Sequence, residues 1–579
     1  MPSLPPLPAN APEAMPHALP SRVSGPVLGA LAGALFFISR GGLAIVPPRS
    51  LQWMLTGDWQ SCLFGWLYSQ PGGFPLGHAP GLLHPSGSSI AGTDALPLLG
   101  TWLPTPSPGS PWQYFGIWLF ACHVLQGLFG ALIASRWTRR PLPQAAVGLL
   151  FAASPALAGR MGHLSLCGHW LVLWALWLGL GEPSTLAAVR RNHAGLLAAG
   201  IVAGSVHPYL ALMVCGIGFA VSLPRHPDVR CSRLEHLARV ASLPATTGLS
   251  LYVFGFFSVP RAHAPGFDTY TAELLTLFNP GGLSRLLPEF RRGGGQYEGT
   301  AWVGLGALLL LALALRGGWL KQVFPWREPR LRWLLAAVLA MFVFSLGSSW
   351  QLWGHQVISY RGLAKSALTG LTEALRSPGR FAWPLHYLVL AAAAAAWLRP
   401  GANERRAAWV LGACALVQFA DLKPSLPGVP AVEPGRLSPV VLPEHVRHLA
   451  LVPATVLPGA GDGCPAPRFT RDEAAALNFA AWNAGLTTNS AYTSRVDSPR
   501  VQAACAETLA EAREGRWRAD TLYVVHRSLW PELRSSGADC GEWLGEVACL
   551  GTGPDSALRA WLRAHAVPSA GSTAGGGGP

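Results

Sequence analysis

Charge is what this chain has least of. Asp, Glu, Lys and Arg together make up 12% of its 579 residues, about half the share of an ordinary soluble domain. Half of the residues are hydrophobic and 24 are Trp. That composition argues against a soluble globular protein and for a polytopic membrane protein. Acids are scarcer than bases, 29 against 43, which gives a net charge of +14. Nucleic acid does not explain the excess, because many of the basic residues fall in short loops between apolar stretches, the pattern of the positive-inside rule. A cleavable signal peptide is also missing: the apolar segment after Arg22 is long enough to span, and no small-residue cleavage site follows it. Nor is there a clear internal repeat of the kind many transporters carry.

What is present is a series of apolar segments. A helix needs about 20 apolar residues to cross the hydrocarbon. On that criterion spans fall near 25–46, 113–135, 143–159, 164–181, 194–206, 209–223, 237–258, 300–316, 333–348, 383–398 and 407–421. The expected fold is therefore an α-helical polytopic membrane protein with about 11 transmembrane helices. Residues 1–24 form a disordered cytoplasmic arm, 25–421 the membrane domain with a first outer loop at 47–112, and 569–579 a disordered tail. Basic loops at 136–142, 182–193, 224–236, 317–332 and 399–406 face the cytoplasm, which leaves 422–568 outside. The expected location is the bacterial inner membrane.

The exported region has ordinary polarity. RDEAAALNFAAWNAG and PRVQAACAETLAEAREG have helical apolar spacing, and HLALVPATV and DTLYVV read as buried strands, so a small α/β domain is expected. It shows no nucleophile motif, phosphate loop or metal cluster. Its four cysteines suggest two disulfides, with 540–549 and 464–505 the favoured pairing. Asn489 to Asp497, NSAYTSRVD, reads as an ordinary connection rather than a binding loop.

Polar residues in so apolar a chain are functional candidates. The first outer loop carries two acids after Arg49, Asp58 and Asp94, and reads as a loop on the membrane surface that presents Asp58 to a ligand arriving from the lipid. Trp59, Trp66 and Tyr68 either stack on sugar or float that loop at the interface. His207-Pro208-Tyr209 sits where Pro breaks the helix, so His207 and Tyr209 are candidate substrate contacts. Three glycines precede Gln296, Tyr297 and Glu298, a cluster suited to sugar hydroxyls or else a plain turn. Lys365, Arg376 and Arg380 lie in an outer loop against the charge trend, and would grip a phosphate or ordinary anionic lipid.

A first span followed by a long outer loop with an early acid resembles the GT-C superfamily of membrane glycosyltransferases. More closely, the chain is similar to a family of bacterial polytopic proteins known only as a domain of unknown function. GDWQSCLFGW, FPLG, SSIAGTDALPLL, QYFGIWLFACHVLQG, GHLSLCGHWLVL, HPYLALMV, FNP, GQYEG and RSPGRFAWPL carry that similarity. The GT-C resemblance implies transfer of a sugar from a polyprenyl-phosphate donor to an envelope acceptor, with Asp58 as the catalytic acid of the first loop. It departs from many such enzymes in having Trp59 rather than a second acid next to it, so Asp94 or Glu298 is left for a second role. No cofactor is required by this reading. A divalent metal is an alternative to the cations, with Asp58, Asp94, His78 and His84 as its candidate ligands. Membrane lipid is an expected partner, and a transporter or flippase of lipid-linked glycans, or a non-catalytic envelope-assembly protein, is the competing function.

Overall fold

The computed structural model of the protein describes residues 24–224, 231–258, 266–323, 328–361, 369–428, 443–457, 464, 466–493, 495–533, 537–543 and 545–567. The N-terminal arm up to residue 23, the tail from 569 and Lys365 lie outside the described residues.

The expectation of about 11 transmembrane helices in a GT-C-like bundle is not met. Among the described residues, two helices are long and apolar enough to cross a membrane by length and composition, Phe115–Ala134 and Pro141–Ala158. The other apolar segments are broken into shorter pieces, such as Gly25–Ser39 and Pro208–Ser222 with 15 residues each and Leu305–Arg316 with 12. At 1.5 Å per residue, 15 residues rise only about 22 Å against a hydrocarbon core of about 30 Å. Leu186–Val206 and Arg233–Val253 have 21 residues, but Arg190 and Arg191 interrupt the start of the first and Arg233, Glu235 and Arg239 that of the second. Composition counts apolar residues without saying which face protein: nearly every residue of the apolar helix Trp383–Trp397 is buried.

Small residues set the helical packing. A Cβ on Gly29 would stand 2.6 Å from the Gly127 carbonyl oxygen, and one on Gly33 would stand 2.1 Å from that of His123. Gly25–Ser39 therefore lies backbone to backbone against Phe115–Ala134. Inside the bundle several polar side chains pair with one another. Gln126 donates to the Tyr387 hydroxyl at 3.0 Å, His169 Nδ1 meets the same hydroxyl at 2.6 Å, and His386 bonds Ser154 at 2.8 Å.

The C-terminal domain is α/β, as expected. Its five-stranded sheet runs Ala538–Trp543, Glu546–Gly551, Thr521–Val525, His448–Val452, Thr487–Thr488. The first three strands pair antiparallel and the last three parallel. Both helical stretches read from the sequence are helices, Arg471–Asn483 and Ser498–Glu514, the first closed by a Thr470/Glu473 capping box. The disulfides are Cys464–Cys505 and Cys540–Cys549, the favoured pairing.

Residues 47–112 are not a loop lying on a surface. They hold the helix Trp59–Leu67 and pack into one hydrophobic core with the C-terminal domain. Trp66 is fully buried against Trp112 and Tyr114. The Tyr68 hydroxyl donates to the Asn478 carbonyl at 2.8 Å, and the Trp482 indole donates to that of Leu67 at 2.6 Å. Trp59 donates to the Met161 carbonyl at 2.7 Å. Trp66 and Tyr68 are thus buried structural residues, Tyr68 at the interface with the C-terminal domain, and Trp59 is tied to the segment at Met161.

Candidate functional site

That interface encloses a cavity of about 590 Å³, within the range of small-molecule sites. Asp58, Asp94, His207, Tyr209, Tyr297, Glu298, Arg376 and Arg380 all line it, so most residues singled out from the sequence converge on one place. Gln296 does not reach it: this side chain is buried and accepts the Gly293 N–H at 2.7 Å. The four candidate metal ligands do not converge either. His84 stacks on His448 at 4.2 Å, His78 does not line the cavity, and no group of three or more metal-ligating side chains occurs among the described residues.

At the buried end Glu298 sits between two arginines. Arg160 donates to its Oε2 at 2.5 Å and Arg380 at 2.9 Å, with His163 Nε2 at 3.4 Å from Oε1. Burial opposes ionisation here, but Arg380 and Arg160 hold the carboxyl well below the usual range. Glu298 is thus an ion-paired anchor and a poor proton acceptor, not the free acid its sequence context suggests. Two tight turns make the pairing: Gln296–Gly299 carries Glu298 and Pro378–Ala382 carries Arg380. A Cβ on Gly379 would meet the Gly299 Cα at 2.8 Å, so only glycine lets the turns approach this closely.

Asp58 is the accessible acid. It precedes Trp59–Leu67 without capping it, and its side chain is 38% exposed. The Tyr492 hydroxyl donates to Oδ1 at 2.6 Å, and Arg471 reaches the same oxygen at 3.4 Å while lying over the Tyr492 ring. Burial, and then the bond to Asp58, push the Tyr492 phenol up, so it stays a neutral donor. Among the described residues nothing donates to Oδ2. Asp94 adopts a left-handed backbone, φ 59°, which a non-glycine residue takes only where surrounding structure enforces it. Burial raises its carboxyl pKa. His207 Nε2 lies 3.7 Å from Asp94 Oδ1, and His207 Nδ1 accepts the Tyr209 N–H at the helix N-terminus. That bond puts the ring proton on Nε2, facing Asp94. Burial, followed by Arg380, depresses the imidazole well below its ordinary value, which keeps it neutral.

Tyr492, Arg471 and Arg495 come from the C-terminal domain and were not among the sequence candidates. NSAYTSRVD, read as a connection, is cavity wall: Tyr492 and Arg495 line it, and the Thr493 hydroxyl donates to the Gly92 carbonyl at 3.0 Å. Its density of polar and aromatic residues was the available signal. One arm of the cavity is mostly apolar. Leu212, Pro244, Gly248, Leu251 and Phe257 form it between Pro208–Ser222 and the end of Arg233–Val253, with Cys215 and Thr247 on the same wall.

A family model described as a domain of unknown function, DUF6311, matches residues 30–423. The chain belongs to the DUF6311 family. The DUF6311 C-terminal domain model matches residues 441–550. The cavity therefore draws on both parts of a DUF6311 protein: Asp58, Glu298 and Arg380 lie in the first match, and Tyr492 and Arg495 in the second. Neither the curated proteins nor the solved structures hold a match to the chain.

Proposed function

We propose that this DUF6311 protein is a membrane-associated glycosyltransferase, and that the interdomain cavity is its active site. In this reading it takes a sugar from a polyprenyl-phosphate donor and passes it to an envelope acceptor at the outer face of the bacterial inner membrane. One observation carries the reading: a single cavity joins an apolar arm to a polar end that holds both an accessible carboxylate and arginines. An amphiphile with a charged head is what such a space suits.

The chemistry is an inverting displacement. Asp58 Oδ2 takes the proton from the acceptor hydroxyl as its oxygen attacks the anomeric carbon. The bond from that carbon to the phosphate oxygen breaks, and polyprenyl phosphate leaves with the electron pair. Cationic side chains offset the charge that develops on it. Asp94, facing neutral His207, is placed to orient acceptor or sugar hydroxyls. Location is supported on two counts. Two disulfides suit an oxidising compartment. Phe115–Ala134 and Pro141–Ala158 are the candidate crossing helices, and every cavity residue lies before 115 or after 158, so a hairpin crossing leaves the whole site on one side.

Purified protein given a labelled sugar on a polyprenyl-phosphate carrier should transfer it, and Asp58→Asn should lower that rate by about 10²-fold or more, the usual contribution of a general base. Wild-type rates in a folded Asp58→Asn variant would remove Asp58 from the mechanism. A wild-type protein that transfers nothing, yet moves lipid-linked sugar across liposomes, would make it a flippase.

A further inference from the structure

The arginines of the cavity are not equivalent. Arg380 gives its Nε to Glu298 and lies over the Tyr209 ring at 4.7 Å. Arg160 shares the same carboxylate. Both are buried and have a structural anion already, so they make a poor handle for a ligand that must come and go. Arg376 and Arg495 differ. Among the described residues neither guanidinium is within ion-pair distance of a carboxylate, and both line the cavity. Arg376 only approaches the Tyr270 ring, at 5.9 Å. Arg495 spends one donor, Nη2, on the Ala374 carbonyl at 3.0 Å. Ala374 is two residues from Arg376, so that bond seats a cation of the C-terminal domain beside a cation of the helical domain. Two like charges side by side at a half-buried wall repel each other, and an anion between them reverses the sign of that interaction. Guanidinium forks suit the oxygens of a phosphate, which they grip in pairs. The apolar arm past Leu212 and Leu251 belongs to the same cavity, so the phosphate that fits is one bearing a long hydrocarbon chain.

We infer that Arg376 and Arg495 form a phosphate clamp straddling the two domains, which holds the head of a lipid phosphate whose chain lies in the apolar arm. The inference rests on reading the cavity as a lipid-phosphate site and is independent of whether sugar is transferred. It also explains what the C-terminal domain contributes to binding, since without that domain the clamp has one jaw.

The test is direct binding to purified full-length protein in detergent, followed by intrinsic Trp fluorescence, with farnesyl phosphate, farnesol and inorganic phosphate as probes. Farnesyl phosphate should bind, Arg495→Gln and Arg376→Gln should each weaken it by about tenfold, and Arg495→Lys should fall between wild type and Arg495→Gln. Farnesol binding should be the same in all four proteins, which also shows that the cavity is intact in the variants. If Arg495→Gln does not fold, Arg376→Gln carries the test alone. Unchanged farnesyl phosphate affinity in the Gln variants would overturn the clamp. Displacement of farnesyl phosphate by an equal concentration of inorganic phosphate would overturn the lipid part of the assignment. Transfer that is lost in Asp58→Asn alongside unaltered farnesyl phosphate binding in Arg495→Gln would sink the clamp and spare the transferase. Clamp-dependent binding without transfer from any donor would do the reverse.

Discussion

Glu298→Gln is the sharpest perturbation this structure offers. The substitution keeps shape and removes one negative charge between guanidiniums whose side chains are 3% and 9% exposed. The Gln carbonyl oxygen can still accept from the arginines, but it carries no charge to balance either cation. Removing one member of a buried ion pair costs about 3–5 kcal/mol, mostly because the partner is left charged and dry. Here two partners are left, so the upper half of that range is expected. The native carboxyl titrates well below the unfolded value of 4.5, so its contribution is fully present above about pH 4.5 and is lost as pH falls through the depressed native value. Urea unfolding of wild type and variant in detergent, followed by Trp fluorescence from pH 8 to pH 4, tests both parts. The gap should begin to close below about pH 4.5. A gap under about 1 kcal/mol at pH 7, well short of the cost of breaking a buried pair, would refute the buried-anchor argument. Replacing Glu298 and Arg380 together by Met should cost less than Glu298→Gln alone, since it removes one cation with the anion.

Three further outcomes follow from the same structure. The Tyr492–Asp58 bond should show as a coupling of about 1 kcal/mol in a Tyr492→Phe/Asp58→Ala double-mutant cycle read by unfolding, the ordinary figure for a bond to a charged group discounted because Asp58 is 38% exposed; additive single effects would mean no bond in solution. Disulfide loss should scale with the loop closed: 41 residues for Cys464–Cys505 against 9 for Cys540–Cys549 corresponds to about 4 against about 2.6 kcal/mol by loop entropy, measured as the unfolding free energies of the paired Cys→Ala variants. Because the native His207 imidazole stays neutral below the unfolded value of 6.5, protonation of the unfolded chain should cost wild type about 1.4 kcal/mol between pH 7.5 and 5.5; His207→Asn, which can still accept the Tyr209 N–H, should lose that much less over this range, and an equal loss would place His207 in solvent.

The parts of this protein legible in the sequence are those whose signal is local. Helices at 471 and 498 and strands at 448 and 521 announce themselves by period and β-branched content, and the cysteines of the C-terminal region are few enough to pair. Asp58, Arg376 and Arg380 stand out because charge is rare around them. What could not be read is pairing across the chain. Glu298 is joined to Arg160 and Arg380, 138 and 82 residues away, and the nearest local hint is that Gly299 and Gly379 each flank the pair. The span count failed for a related reason. An apolar run reads alike whether it faces lipid or protein, and helices such as Trp383–Trp397 face protein.

On the transferase reading, the two oxygens of Asp58 divide the work between domains. Oδ1 is held by Tyr492 at 2.6 Å, which fixes the plane of the carboxylate and leaves Oδ2 pointing free. Orientation is what the C-terminal domain contributes to this acid. A carboxylate without that bond would rotate, and proton transfer depends on the acceptor lying within about 2.6–3.2 Å of the hydroxyl it strips. Tyr492→Phe should accordingly lower the turnover rate while leaving farnesyl phosphate affinity, set by Arg376 and Arg495, where it was. A matched loss in both would mean that the loop at 489–497 moves as a unit and that Tyr492 holds the wall of the cavity rather than the acid.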